Sequence, residues 1–189
     1  MKAITLLASP RPEGNTARIL NWVERDLEDV GHQSERIELT ALDIGGCRAC
    51  YACAESPDAP GCVVNDDALG VFDKMIGADA IVYATPLYMW GVTAQLKALL
   101  DRSLCLSRGY LSPEHRSFVE GKPTALVLTC GGPEKGNAEA VTTMFPRFAD
   151  FLKLDNRGVY VFPHCGEPKH LPNTHGTKAR EIAERLFEG

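Results

Sequence analysis

The sequence predicts an α/β protein, a five-stranded parallel sheet with helices on both faces. Two observations carry that prediction. Short apolar runs alternate with amphipathic segments from end to end, as βαβ units require. Most of those runs are nearly continuous in apolar residues, the mark of parallel strands covered on both faces.

The first strand is expected over Lys2–Ala8 (KAITLLA), followed by a polar loop. Ile19, Leu20, Val23 and Leu27 recur at helical spacing and predict a helix from about Thr16 to Val30, with Asn15 as its cap. Gly31 ends it. Gln33–Leu39 alternates polar and apolar residues, as a half-exposed edge strand does. Asp66 or Asp67 is positioned to cap a helix running to Gly77. Asp79–Thr85 (DAIVYAT) reads as the third strand, and Val92–Asp101 as the helix after it. Lys122–Cys130 (KPTALVLTC) is the fourth strand, with a helix over about Asn137–Lys153. Gly158–Phe162 closes the sheet, and Thr177–Phe187 is the last helix. Asp101 and Arg102 read as a helix end with an ion pair. Two connections are long: the cysteine-rich loop, residues 45–65, and the insertion 103–121, which has room for a short helix, a lid or an oligomer contact.

With 189 residues, 44% hydrophobic and 24% charged, the chain has the length for one domain with a sizeable core. A net charge of −5 argues against nucleic acid as the main partner, because phosphate binding wants a basic face. The apolar stretch Ala3–Ala8 is too short for a signal-peptide core. The longest apolar region, Ala80–Val92, is broken by Thr85, Pro86 and Gly91 and falls well below the roughly 20 residues that span a bilayer. A cytoplasmic protein with reduced thiols and no membrane partner is therefore expected.

Ligands of open α/β sheets bind beyond the carboxyl ends of the strands. The first such turn, SPRPEGNT (residues 9–16), is neither a P-loop nor a dinucleotide fingerprint. It still has the parts of a phosphate cradle. Ser9 and Thr16 supply hydroxyls, Gly14 allows a tight turn, Arg11 offers a charge-assisted fork, and the following helix starts with amides that favour an anion. The alternative is an ordinary capped loop. A second loop, TPLYMWG (residues 85–91), offers the flat faces of Tyr88 and Trp90, as a cofactor wall or a buried aromatic corner. In a third, TCGGPEKG (residues 129–136), the paired glycines allow close backbone approach to a ring. A phosphate cradle beside an aromatic loop and an amide-rich loop suits a flat ring system carrying one phosphate.

Cys47, Cys50, Cys53 and Cys62 are four of seven cysteines. An odd total leaves one thiol unpaired in any disulfide framework. Four closely spaced thiols can wrap an iron–sulfur cluster, hold zinc, form a redox disulfide or pack as small apolar residues. His164, His170 and His175 match no zinc spacing and read as solvated loop residues. Neither a Ser–His–Asp order nor a pair of catalytic carboxylates is discernible, so no catalytic side chain is assigned.

The strand followed by SPRPEGNT, then CRACYAC…C…DD, then ADAIVYATPLYMWGVTAQLKALLDRS and GKPTALVLTCGG together resemble the NADPH-dependent FMN reductase family of the flavodoxin-like fold. The likeness covers residues 1 to about 137, and the remainder through its order of elements. It implies a three-layer sandwich over residues 1–189 with strand order 2-1-3-4-5. It implies FMN, with the phosphate on Ser9, Arg11, Asn15 and Thr16 around Gly14. The ring would rest against Pro86, Leu87, Tyr88, Met89 and Trp90, with Thr129, Gly131 and Gly132 on its other side. NAD(P)H would supply a hydride, a small acceptor or redox protein would take the electrons, and the chain would form a homodimer or homotetramer. Cys47, Cys50, Cys53 and Cys62 also fall on the motif by which iron–sulfur flavoproteins bind a [4Fe–4S] cluster, though with a longer last gap than is usual there. The leading expectation is thus an FMN-dependent oxidoreductase. The alternatives are an electron carrier with FMN and a cluster, and a flavin-free structural or zinc-binding module.

Overall fold

Lys2–Leu7 forms β1, Asn15–Asp29 forms α1 and Gln33–Glu38 forms β2. Ala68–Gly77 is α2, Ala80–Pro86 is β3 and Ala94–Arg102 is α3. Two-residue strands β4 (Ser107–Arg108) and β5 (Arg116–Ser117) pair antiparallel within the insertion, after a short 3-10 turn at Ser103–Leu106. Pro123–Thr129 is β6, Glu139–Phe151 is α4, Asp155–Phe162 is β7 and Asn173–Leu186 is α5. This computed structural model describes residues 1–56, 58–110, 112–166 and 171–188.

The main sheet runs β2-β1-β3-β6-β7, all parallel, which is the expected 2-1-3-4-5 order counted over its own strands. Strand pleating sends alternate side chains to opposite faces. Ala3 and Leu7 of β1 pack with Ile19, Leu20, Val23 and Leu27 of α1 and with Ala179, Ile182 and Leu186 of α5. Ile4 and Leu6 face the opposite layer, with Phe72 and Met75 of α2, Leu96 and Leu99 of α3, and Phe145 of α4. Each fully buried Leu or Phe contributes about 1.5–3 kcal/mol, so the two cores anchor the strand ends from both sides. Among the described residues, no helix is long and apolar enough to cross a membrane.

Several local expectations need correction. Gly14 occupies the cap of α1, and Asn15 is already helical; its amide side chain donates to Cys165 O at 2.9 Å instead. Neither aspartate caps α2 in the usual way. Asp67 Oδ2 accepts from Asp43 N and Asp66 Oδ2 from Gly45 N, which tie the entry to the cysteine loop to the helix start, while Asp66 Oδ1 accepts from Ala68 N. Asp101 pairs with Lys97 one turn earlier, while Arg102 turns inward to Asp66. β7 begins three residues early because its polar start, Asp155–Arg157, precedes a register shift and still pairs with β6. α5 begins at Asn173, directly after Pro172, which brings His175 inside the first turn and buries it against Phe162. His164 is exposed as expected, and His170 lies outside the described residues.

Candidate functional site

The loops after β1, β3 and β6 meet at one end of the sheet. In the first, Gly14 N–H donates to Arg11 O at 3.0 Å, and the buried Ser9 hydroxyl accepts from Arg11 N at 3.2 Å. A Cβ at Gly14 would stand 3.0 Å from Arg11 Cβ and 3.1 Å from Arg11 O, so the turn closes this tightly only around glycine. The opening amides of α1, those of Thr16 and Ala17 among them, have no carbonyl within the helix to donate to. Gly14 brings no side-chain acceptor either. That combination is what an anion at a helix start needs. Arg11 stands exposed beside it.

The second loop is fixed from behind. Thr93 donates its hydroxyl to Ala8 O at 2.9 Å, its amide donates to Thr85 Oγ1 at 3.2 Å, and it caps α3. One buried threonine thereby joins the ends of β1 and β3. Ahead of it, Tyr88 and Gly91 exchange backbone hydrogen bonds at 2.9 Å around Met89 and Trp90, both in the left-handed region at φ 47° and 60°. Left-handed backbone is costly for residues with a Cβ, and such strain gathers at functional sites. It leaves Met89 90% and Trp90 61% exposed.

The third loop leans on the second, with Leu87 N donating to Thr129 O at 2.7 Å. Thr16 and Thr129 share a buried hydroxyl–hydroxyl bond of 2.7 Å, which joins the first loop to the third. Cys165 N donates to Cys130 O at 2.8 Å, and the loop after β7 thereby closes the far side. Burial pushes the Cys165 thiol up to about 11 and holds His175 below its ordinary value, which favours the uncharged form of each.

Leu87, Met89, Trp90, Cys130, Gly131, Gly132 and Asn137 surround a cavity of about 250 Å³. That lies just under the roughly 300 Å³ lower bound of small-molecule pockets, room for a planar ring whose tail lies outside. Five of the predicted ring contacts therefore line one cavity, whereas Pro86, Tyr88 and Thr129 are not in its lining. Cys130 and Asn137 went unpredicted: a cysteine inside a strand reads as core, and an asparagine before a helix reads as a cap. A roomier cavity of about 670 Å³ is lined from α4 alone, from Glu139 to Phe151. Strand-end chemistry does not reach it, and we assign it no ligand.

The cysteine loop forms a separate centre. Cys47, Cys50, Cys53 and Cys62 line one small cavity of about 20 Å³, together with Arg48, Arg102 and Cys105. Ala49 and Tyr51, at φ 51° and 58°, turn the chain between successive cysteines, and Ala49 N donates to Cys47 Sγ at 3.4 Å. All seven cysteines are free thiols. Burial raises the Cys53 thiol, with further repulsion from Cys62, Cys47 and Cys50. The donor set fits a metal or an iron–sulfur group in kind. As the thiols lie, no three His, Cys, Asp or Glu side chains among the described residues form a metal-holding group. A space of 20 Å³ holds about one water; a cluster requires the loop to open on the side where Cys47 and Cys50 are exposed.

The strand order and the three loops gathered at the carboxyl ends define a flavodoxin-like α/β protein. A family model described as NADPH-dependent FMN reductase matches residues 1–163, and the chain belongs to that family. It is 32% identical over 139 residues to an iron–sulfur flavoprotein of Methanosarcina thermophila, an alignment covering 74% of this chain and 68% of that one. A Methanocaldococcus jannaschii iron–sulfur flavoprotein is 37% identical over 134 residues, covering 71% and 66%. The chain thus spans about two thirds of the length of these relatives. Among solved structures, an NAD(P)H:quinone oxidoreductase from Methanothermobacter marburgensis superposes with a TM-score of 0.80 over 100% of this chain and 99% of that one. At 18% identity that likeness speaks for the fold alone.

Proposed function

We propose that the protein is an FMN-dependent oxidoreductase that takes a hydride from NAD(P)H and passes electrons to a small acceptor such as a quinone or a free flavin. The carrying observation is the bond between Thr16 and Thr129, which sets the helix-start amides and the 250 Å³ ring cavity in one fixed frame. Thr16 and Ala17 amides with Arg11 would hold the phosphate, while Ser9, Gly14 and Asn15 shape the turn that presents them. Leu87, Met89, Trp90, Gly131 and Gly132 would bracket the ring. FMN, when bound, supplies the hydride-accepting chemistry, and the chain supplies position and exclusion of water. Relatives at 36% and 32% identity over shorter stretches are FMN-dependent NADH:quinone oxidoreductases from Pseudomonas fluorescens and Methylobacterium radiotolerans, which supports the acceptor class.

Purified protein loaded with FMN is expected to be yellow and to bleach when NADH or NADPH is added without oxygen. Protein that takes up no FMN ends this reading. The exposed Tyr88, Met89 and Trp90 beside the cavity favour a homodimer or homotetramer, which light scattering measures. Seven unpaired thiols fit a cytoplasmic setting, and the one five-stranded sheet with its covering helices fits a single unit over residues 1–189.

A second reading rests on its own observation, the four loop thiols that share one cavity. In this reading Cys47, Cys50, Cys53 and Cys62 hold a [4Fe–4S] cluster, and the protein carries electrons between cluster and flavin. Anaerobic protein would then contain about four irons per chain. Iron-free protein after anaerobic incubation with ferrous iron and sulfide would count against it.

A further inference from the structure

We propose that Arg102 is a positioning residue of the cysteine site, the fixed positive wall that sets the charge and potential of the group the four thiols hold. The inference rests on the cluster reading and adds a residue that the cysteine motif does not contain. Arg102 closes α3 and is only 2% exposed, a rare place for a permanent charge. Nη1 donates to Asp66 Oδ2 at 2.6 Å and to Gly45 O at 3.1 Å; Nη2 donates to Asp66 Oδ1 at 3.1 Å and to Val64 O at 3.5 Å. These four bonds fix the guanidinium plane. Nε, also buried, makes no hydrogen bond of normal geometry, although the guanidinium interacts with Cys62 at the cavity wall.

Arg102 lines the cavity with Cys47, Cys50, Cys53, Cys62 and Cys105. The lining has two guanidinium-bearing residues, Arg48 and Arg102, and no carboxylate, because Asp66 lies behind Arg102. Asp66 already pairs with this buried cation, and the donor it leaves over is open to a second negative group. Thiolates on a metal group are such a partner. Each electron added to that group adds one negative charge, which a fixed cation within reach stabilises, and hydrogen bonds and net charge near the sulfurs set the potential of such centres. Asp66 offsets part of that charge while holding the guanidinium in place.

A plain structural clasp would look the same in a static structure, so the test separates clasp from charge. Full-length wild type, Asp66→Asn, Arg102→Lys and the double variant Asp66→Asn/Arg102→Met are incubated anaerobically with ferrous iron, sulfide and a thiol reductant. Iron and sulfide per chain are measured, and the midpoint potential is read by dithionite titration. The double variant leaves no uncompensated buried charge, which guards against simple misfolding. Asp66→Asn unmasks the arginine and should shift the potential positive of wild type. Removing the arginine from that background should shift it back to more negative values. Arg102→Lys, which keeps the charge and loses the Nε donor, should fall slightly negative of wild type. Potentials that stay together while iron content falls in all three variants would show a clasp and overturn the proposal. Wild type that binds no iron and sulfide overturns the cluster reading and this inference with it, so the two failures are distinguishable.

Discussion

Thr16 and Thr129, 113 positions apart in the chain, hold their hydroxyl oxygens 2.7 Å apart in the interior. No local pattern requires this contact. It exists because β1 and β6 flank β3 and both deliver their loops to one end of the sheet.

Removing one hydroxyl leaves the other buried without its partner, and that costs about 1–3 kcal/mol. Thr129→Val is therefore expected to lower stability in urea by that amount and to weaken FMN binding. Thr16→Val/Thr129→Val should cost clearly less than the sum of the two single changes, since a buried pair removed together is close to neutral. Additive costs in the double-mutant cycle would show that the bond carries no weight.

Cys105 shares the cysteine cavity but is expected not to be a ligand. It is 2% exposed in the turn Ser103–Leu106, rooted in the core and not on the cysteine loop, and burial, with repulsion from Cys62 and Cys53, pushes its thiol up to about 12. Metal groups take thiolates. Cys105→Ala should thus leave iron per chain unchanged after anaerobic loading with iron and sulfide, whereas Cys62→Ala should lower it. Equal losses would make Cys105 a fifth member of the set.

Acid should loosen the edge of the sheet through Glu35. Hydrogen bonds from Lys2 and then Lys74 hold its carboxyl at about 2, from an ordinary 4.5. A depressed carboxylate gives stability that is present above its unfolded value and is lost as pH falls through the folded one. The window therefore lies between about 4.5 and 2. The side chain is about a third exposed, so screening keeps the effect under about 1 kcal/mol. Glu35→Gln should flatten the urea midpoint across that range, and added salt should shrink the difference.

Much of this could be read from the sequence wherever local chemistry agreed with the fold. β1, β3 and β6 are nearly continuous in apolar residues because both of their faces are covered, and their loops stand where parallel strands deliver them. The misreadings have a common cause. Asn15 looks like a cap, but the amide it presents finds a better acceptor in Cys165 O, 150 residues on. Arg102 sits beside Asp101 in sequence, yet helical geometry points neighbours apart, and it finds Asp66 across the core. Cys105 lies 43 residues beyond Cys62, so no spacing rule could join it to the motif. Long-range partners chose these roles.

The turn at Met89 and Trp90 sets stability against function. Two left-handed residues that carry a Cβ cost roughly 1–2 kcal/mol each against a conformation that asparagine and glycine adopt readily. Their side chains add little to the core, since both are exposed. They are kept in strain at the rim of the ring cavity. Replacing Met89 with Asn and Trp90 with Gly should therefore raise the thermal midpoint of the FMN-free protein. The same change removes two walls of the cavity and should weaken FMN or raise the KM for a quinone acceptor by roughly tenfold, equivalent to about 1.4 kcal/mol. A variant that is more stable and equally active would mean that the strained turn serves something other than the ring, such as a contact between two copies of the chain. A variant that is less stable would mean that the exposed side chains hold the turn together themselves.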